Sequence, residues 1–175
     1  MPNWNYNTII CKADLKSYII NGDEVDFNIL VPEPMTKEEC LSEYGEEYIL
    51  KGNEGIQKLE DREWFNWYDW HVAFWGTKWE AIDTTEYKDE DYYFINFTTA
   101  WSPPRAWLGK LASLGKPFIL CQEEEGGEGS WEGFNGETDI ENFYYRDWNI
   151  EDADEDPNYE DELPSSEVLK EFFGD

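Results

Sequence analysis

The sequence has 175 residues, of which 40% are hydrophobic and 18% are aromatic, and it carries 41 acidic residues against 13 basic ones. So many rings exclude a disordered acidic chain, because such chains lack the apolar area that offsets the entropy lost on folding. The formal net charge of −28 argues against direct nucleic-acid binding, since phosphate backbones are bound by lysine and arginine. The composition indicates one folded domain that favours a basic partner surface, unless the acid excess serves solubility alone.

Three cysteines, Cys11, Cys40 and Cys121, are odd in number and lack CxxC spacing. They predict reduced, buried thiols and neither a disulfide framework nor a zinc site. Residues 1–20 contain no basic segment followed by an apolar run, and no apolar stretch approaches the roughly 18 residues of a spanning helix. We therefore expect a cytoplasmic protein without a membrane segment.

The first third of the chain predicts two extended segments and a helix. Residues 6–11 are β-branched and predict a strand, and residues 25–31 predict a second extended segment. Thr36 and Glu39 have the spacing of a capping box, which predicts a helix that begins there. A further helix is predicted over residues 56–67 from apolar residues near helical spacing.

The middle of the chain is rich in aromatic residues. Residues 70–75 predict a strand that ends at Gly76, and residues 80–83 predict a short partner strand. Residues 92–98, which are aromatic and β-branched, give the strongest strand prediction.

A strand–helix–strand unit is predicted over residues 92–121. Ser102 is a good helix cap, and Pro103 fits the first helical position because the amide there has no partner within the helix. Gly115 stands where a left-handed residue ends many helices, and residues 118–121 predict the next strand. We expect this unit to have a right-handed crossover.

The last part predicts further strands and an acidic extension. Residues 130–134 and 143–148 complete an antiparallel sheet, residues 151–162 form a charged loop, and Ser165 or Ser166 caps a short final helix. The predicted class is α+β, with helices on one face of a mostly antiparallel sheet. We expect a domain at residues 1–150 and an acidic C-terminal extension at residues 151–175.

Three short motifs carry a resemblance to a known family. They are Met-Pro-Asn-Trp at residues 1–4, Trp-Gly-Thr-Lys-Trp at residues 75–79 and Ala-Trp-Ser-Pro-Pro at residues 100–104. In order and spacing they resemble the ferredoxin-like domain family of small phage, prophage and plasmid proteins, over most of residues 1–135. The resemblance implies a ferredoxin-like split β-α-β fold, a mobile-element origin and a bacterial host cell.

The resemblance supplies no catalytic residue. It implies no iron–sulfur cluster either, since the chain lacks a cluster-binding cysteine pattern. The sequence departs from the family at Asn5, where a cysteine is frequent, and in the acidic extension. We therefore predict no cofactor.

Several residues invite a functional interpretation that we weigh against a structural one. The tryptophan-rich stretch from Trp64 to Trp79 could stack nucleobases or sugars, but core packing is the better interpretation in so acidic a chain. The single histidine, His71, lies in an apolar segment, which favours a hydrogen-bonded structural role. Asp152, Asp154 and Asp156 resemble a calcium loop only superficially, because the glycine and the terminal acid of that loop are absent. No metal site is predicted.

Charge distribution is the remaining signal. Residues 123–175 hold 20 acids and 2 bases, and residues 1–122 hold 21 acids and 11 bases. A carboxylate-covered surface can imitate duplex DNA, which carries about one negative charge per 1.7 Å. The residues predicted to contact a partner are Glu123, Glu124, Glu125, Glu151, Asp152, Asp154, Glu155, Asp156, Glu160, Asp161 and Glu162.

The first hypothesis is thus a counter-defence protein, an acidic nucleic-acid mimic that binds the basic surface of a host CRISPR or restriction effector. The first alternative is a non-catalytic protein-binding regulatory module in phage replication or host takeover. The second alternative is a small carboxylate-dependent hydrolase, which the sequence disfavours because it contains no pairing of nucleophile and base. The residue pattern leaves a homodimer open.

Overall fold

A computed structural model describes residues 3–50, 62–125, 128–134, 145–149 and 163–174. The strands in these ranges are β1 (Trp4–Cys11), β2 (Ile20–Asn21), β3 (Glu24–Val25), β4 (Ile82–Asp89), β5 (Tyr92–Ala100), β6 (Phe118–Glu124), β7 (Glu128–Phe134) and β8 (Tyr145–Asn149). The α-helices are α1 (Ala13–Lys16), α2 (Lys37–Glu43), α3 (Trp67–Phe74), α4 (Arg105–Ala112) and α5 (Ser166–Phe173), and 3-10 helices cover Phe27–Ile29 and Glu46–Tyr48. The predicted α+β class is confirmed.

One sheet contains the strands in the order β4-β5-β1-β6-β7-β8, and every neighbouring pair is antiparallel. Strands β5 and β6 both flank β1, so they run parallel to each other with β1 between them, and α4 lies between them in the chain. Strands β2 and β3 form a separate pair. The predicted mostly antiparallel sheet and the strand–helix–strand order of residues 92–121 are confirmed.

Strand β1 is central to the core because its second half is apolar on both faces. Ile9 lies opposite Ile95 of β5 and Leu120 of β6, and all three residues are fully buried. Ile10, its neighbour along the strand, is fully buried too. Since successive side chains alternate between the faces of a strand, such a run requires cover on both faces of the sheet.

The first face packs against α1, α3 and α4. Leu15 of α1, Trp70 of α3 and Trp107 of α4 belong to the same buried cluster as Ile9. Phe27 fills the centre, with its ring centroid 4.9 Å from that of Trp107. Much of the aromatic content predicted to form the core is found in this layer.

The opposite face packs against α5. Leu169 of α5 is buried in one cluster with Ile10 of β1, Phe94 of β5 and Ile119 of β6. The prediction that helices cover only one face is therefore wrong, because the central strands are apolar on both sides. The division of the chain at residue 150 stays a prediction, but the final helix packs against the sheet.

The predicted helix ends at α2 and α5 are confirmed in their capping residues. Thr36 Oγ1 accepts a hydrogen bond from the Glu39 amide at 3.1 Å, and Ser165 Oγ accepts one from the Val168 amide at 3.4 Å. The Glu39 carboxylate accepts from the Met35 amide at 2.8 Å, one residue before the donor expected in a capping box.

The strand predicted at residues 70–75 is wrong, because residues 70–74 belong to α3 and Trp75 is the C-cap of that helix. Asn66 caps that helix through its side-chain oxygen, which accepts from the Asp69 amide at 3.4 Å. A short apolar run does not distinguish a buried strand from a buried helix, and here a local cap decides in favour of the helix.

Three other bounds differ from the prediction. Residues 25–31 are not one extended segment, because Asp26 accepts from the Asn28 amide at 2.9 Å and caps a 3-10 helix. Helix α4 begins two residues later than expected, with Pro104 in the capping position. The short strand predicted at residues 80–83 is the beginning of the longer β4.

Most of the other local predictions agree where they can be compared. The strands predicted at residues 6–11, 92–98, 118–121, 130–134 and 143–148 correspond to β1, β5, β6, β7 and β8. Gly115 has the predicted left-handed conformation, with φ of 70°. Residues 56–61 of the helix predicted at 56–67 and all of the loop predicted at 151–162 lie outside the described residues. The rest of that predicted helix is wrong, because residues 62–66 are not helical and α3 begins only at Trp67. No helix in the described ranges is long and apolar enough to cross a bilayer.

Candidate functional site

Only three of the eleven predicted contact acids, Glu123, Glu124 and Glu125, lie in the described residues. They follow one another at the end of β6, where Glu124 and Glu125 are exposed and Glu123 is half-buried. Glu125 is fixed against the start of β1. Its amide donates to the Trp4 carbonyl, and its carboxylate accepts from the Trp4 amide, each at 3.0 Å. The other eight acids lie outside the described residues.

The three motifs that carry the family resemblance meet at one place in the structure. Thr77 Oγ1 donates to the Ala100 carbonyl at 2.9 Å, and Ser102 Oγ donates to the Gly76 carbonyl at 3.3 Å. The Trp101 amide donates to the Asn3 carbonyl at 2.8 Å. Segments separated by up to about a hundred residues in the chain are therefore joined by direct hydrogen bonds.

Gly76 makes this convergence possible. Its φ is 85°, and a β-carbon there would lie 2.8 Å from the backbone nitrogens of Arg105 and Ala106. Only glycine allows the chain both this conformation and this close approach to the start of α4.

A group of exposed and half-buried aromatic rings lies at the junction. We call Trp4, Tyr68, Lys78, Trp79 and Trp101 the aromatic patch. The ring centroids of Tyr68 and Trp101 are 6.2 Å apart, as are those of Trp4 and Trp79. Tyr68 is 37% exposed and Trp101 is 42% exposed, so these rings are available to a partner in solution.

Lys78 lies among these rings. Its ammonium nitrogen is 4.4 Å from the centroid of Trp79, 5.6 Å from that of Trp101 and 5.8 Å from that of Tyr68. These distances fall within the roughly 6 Å at which an aromatic face attracts a cation.

Trp101 has an unusual backbone conformation. Its φ is 74°, in the left-handed region that bulky residues rarely occupy. The hydrogen bond from its amide to Asn3 and the turn formed by the Ser102 amide and the Ala100 carbonyl, at 3.0 Å, hold it there. Such strain costs about 1–3 kcal/mol and is frequent at functional sites.

Beneath the patch, Glu33 joins Arg62 and His71 in one polar chain. The Glu33 carboxylate accepts hydrogen bonds from Arg62 Nη2 and from His71 Nε2. His71 Nδ1 lies 2.8 Å from the Lys78 carbonyl, and the His71 ring stacks on Trp75 with centroids 4.0 Å apart. The predicted hydrogen-bonded role of His71 is confirmed, although it lies on a helix and not on a strand.

The Glu33 carboxylate is ionised in this setting. Burial alone raises the pKa of Glu33, but the hydrogen bonds from His71 and Arg62 outweigh it and lower the pKa below the ordinary 4.5. The two ring nitrogens of His71 each face an oxygen, one of the Glu33 carboxylate and the other of the Lys78 backbone carbonyl. This polar chain connects α3 to the Glu33 segment and to the backbone of Lys78.

A polar layer lies on the first face of the sheet near the same junction. Asn7 Nδ2 donates to Thr99 Oγ1 at 2.9 Å, and Asn5 Nδ2 donates to Gln122 Oε1 at 2.7 Å. Asn5, which stands where the resembled family frequently has cysteine, is fully buried. It therefore serves the interior of the sheet and does not reach the surface.

The cysteines are structural. All three are free and buried, as predicted. Burial raises the pKa of Cys11 to about 12, with a smaller contribution from Asp14, and burial also raises the pKa of Cys121 far above its usual range. A thiol that stays protonated is a poor nucleophile and a poor metal ligand.

Within the described ranges, no three His, Cys, Asp or Glu side chains lie close enough together to hold a metal ion. Comparison with protein-family models, curated proteins and solved structures finds no match. The ferredoxin-like resemblance and the functions derived from it stay predictions.

Sequence reasoning missed the aromatic patch. It assigned the tryptophan-rich stretch to the core, which is right for Trp70 and Trp75, but Trp79 is only half-buried and reaches the surface beside Trp101. The available signal was Trp101 itself, a large ring between a strand and a Ser-Pro-Pro helix start, where a loop presents side chains to solvent.

Proposed function

We propose that the protein is a non-catalytic, acidic nucleic-acid mimic that binds and inhibits a host nucleic-acid-binding defence effector of the CRISPR or restriction type. The observation that supports it is exposed negative charge that no described basic residue neutralises in an ion pair. Glu38, Glu43, Glu46 and Glu47, which we call the acidic face, are exposed on α2 and the 3-10 helix that follows, and none of them forms an ion pair with a described residue.

Some exposed acids on other parts of the surface differ from the acidic face because they form ion pairs with lysines. Lys16 pairs with Glu86 at 2.7 Å, and Lys170 pairs with Glu90 at 3.3 Å, so these two lysines neutralise acids on other parts of the surface. The acidic face keeps its charge and is free to attract a basic groove. Attraction between opposite surface charges speeds association and weakens as salt is added.

The proposal includes a ferredoxin-like fold and an origin in a mobile element. The arrangement of β5 and β6 on either side of β1, with α4 between them in the chain, supports a ferredoxin-like split β-α-β fold. A mobile-element protein of this kind acts in the cytoplasm of a bacterial host, on a partner that itself binds nucleic acid.

The test is phage plating on host strains that each carry one restriction or CRISPR system and express the protein. If phage plate better on one strain when the protein is expressed, the defence system of that strain contains the effector. The purified effector is then mixed with labelled duplex DNA, and the amount of DNA it binds is measured as the protein is added. We expect competition that falls as salt rises. Replacing four acids of residues 151–162, or the acidic face, by Gln or Asn lowers the affinity by at least about tenfold, since charged contacts contribute on this scale.

A matched control variant carries four Gln or Asn substitutions at other exposed acids, namely Asp14, Asp23, Glu24 and Asp69. It removes the same charge from a different surface and retains most of the affinity. The proposal is wrong if no defence system is relieved, or if both acid-neutralised variants inhibit as well as the wild type while circular dichroism shows them folded.

The aromatic patch favours a second candidate, a protein-binding regulatory module in phage replication or host takeover. Exposed tryptophan and tyrosine are enriched among the residues that dominate protein interfaces. This candidate predicts binding that persists in high salt and is lost when rings, not acids, are replaced.

A further inference from the structure

The aromatic patch holds a cation among several rings. Lys78 is surrounded by Tyr68, Trp79 and Trp101, and no carboxylate of a described residue forms an ion pair with it. Three ring centroids lie within roughly 6 Å of the Lys78 ammonium nitrogen, whereas Lys88 lies over one ring, that of Tyr93 at 5.7 Å. The three rings attract the Lys78 ammonium group.

The strain at Trp101 points to the same surface. A tryptophan with φ of 74° costs stability that a glycine would not cost, and the ring it presents is 42% exposed. A substantial part of this residue therefore remains in contact with water in the free protein. Contact with another molecule would bury it.

The charge of the protein determines which molecule fits. Aromatic faces attract cations, and the net charge of −28 attracts a basic segment and repels a phosphate backbone. Lys78 shows where the cation sits, since its ammonium nitrogen lies 4.4 Å from the centre of Trp79.

We propose that the aromatic patch is a docking site for a lysine- or arginine-bearing segment of a basic partner protein, whose cationic side chain takes the place of Lys78 among the rings. The flexible stem of Lys78 lets its ammonium group move out to solvent when the partner side chain enters. Arginine fits best, because its planar guanidinium group stacks on aromatic faces. This inference goes beyond the proposed function, since it depends on rings and not on the acidic face.

The experiment uses the full chain, labelled with nitrogen-15, and a synthetic Arg-Gly-Gly repeat peptide as the probe. Indole N–H signals are followed by NMR at a salt concentration near 1 M, where screening shortens electrostatic attraction to about 3 Å. We expect saturable shifts of the Trp79 and Trp101 indole signals. A Glu-Gly-Gly repeat peptide produces none.

Two variants distinguish peptide binding at the aromatic patch from general electrostatic attraction to the acidic protein. Trp101→Gly removes a ring and relieves the backbone, so the protein remains folded while affinity for the arginine peptide falls about fivefold to thirtyfold. Lys78→Met keeps the apolar stem but removes the competing charge, and it raises the affinity about threefold or more. Met35→Ala, at a residue 74% exposed and outside the patch, changes nothing.

Three results overturn the inference. One is peptide binding that shifts no indole signal of the patch. Another is unchanged affinity in Trp101→Gly together with unchanged affinity in Lys78→Met. The third is binding of a single-stranded oligonucleotide at the patch in preference to the arginine peptide. None of these results bears on the competition experiment with duplex DNA, because that experiment perturbs acids on other surfaces.

Discussion

Replacing Glu33 by glutamine tests whether the polar chain of Glu33, Arg62 and His71 stabilises the fold. The Glu33 carboxylate accepts from both Arg62 and His71, and all three side chains are largely buried. Glutamine has nearly the same shape but only one acceptor oxygen, so one of the two donors loses its partner in Glu33→Gln.

The magnitude follows from the two hydrogen bonds. A hydrogen bond to a charged group contributes about 1.5–3 kcal/mol, and the one that survives becomes neutral and weaker. We expect the free energy of unfolding to fall by about 2–3 kcal/mol at neutral pH. For a chain of this length the corresponding decrease in Tm is about 4–12 °C.

The effect depends on pH in a defined direction. The pKa of Glu33 is lowered in the folded protein, so its stabilising contribution is complete above the unfolded pKa of about 4.3 and is lost as pH falls through the lower folded value. Urea unfolding followed by tryptophan fluorescence, repeated from about pH 7 to about pH 3, measures it. The reasoning is refuted if wild type and Glu33→Gln have the same free energy of unfolding at neutral pH, or if the difference between their free energies of unfolding is the same at every pH.

Glu80→Gln is the matched control, because this substitution is expected to raise the free energy of unfolding at neutral pH and not to lower it. The pKa of Glu80 is raised by burial and by the carboxylates of Glu33 and Asp26, against an opposing hydrogen bond from Asn28 at 2.8 Å. A raised carboxyl pKa favours folding below the unfolded pKa, and this contribution is lost as pH rises through the folded value. Glutamine keeps an acceptor for Asn28 without the charge, so Glu80→Gln is more stable than the wild type at neutral pH.

Two further predictions concern backbone conformation. Gly76→Ala should lower the free energy of unfolding by about 2–4 kcal/mol. The new β-carbon would meet the backbone at the start of α4, and residue 76 has a left-handed conformation that alanine disfavours. A thermal scan with unchanged Tm would contradict this. Glu90 has φ of 49°, so Glu90→Gly should exceed Glu90→Ala in stability by about 1 kcal/mol. Both Glu90 variants lose the same ion pair with Lys170, so equal urea midpoints would show that the conformation costs nothing.

The parts of the fold that the sequence predicts correctly are those in which local chemistry and burial agree. Residues 92–98 are β-branched and aromatic, and they form the long buried strand β5. Residues 70–75 are equally apolar yet form a helix, because Asn66 caps α3 and the rings are buried on several sides. Apolar content alone cannot decide between the two structures.

The aromatic patch could not be predicted, because it is formed largely by contacts between different elements of the fold. The conformation of Trp101 depends on the carbonyl of Asn3, and the position of Lys78 depends on Tyr68, ten residues before it on another element. The helices on both faces of the sheet were missed for a similar reason. Only the pairing of β1 with two apolar strands shows that Ile10 needs cover from α5.

The exposed strand β4 also affects how the protein behaves at high concentration. It stands at one end of the sheet order, where an unpaired strand offers its backbone to a second copy as a template for aggregation. Asp83, Glu86 and Asp89 are exposed along it, and its register is broken between Ile82 and Thr85. Like charges and a bulge both oppose edge-to-edge pairing, and only the repulsion between charges is screened by salt. The bulge is therefore the part of the protection that persists at high ionic strength.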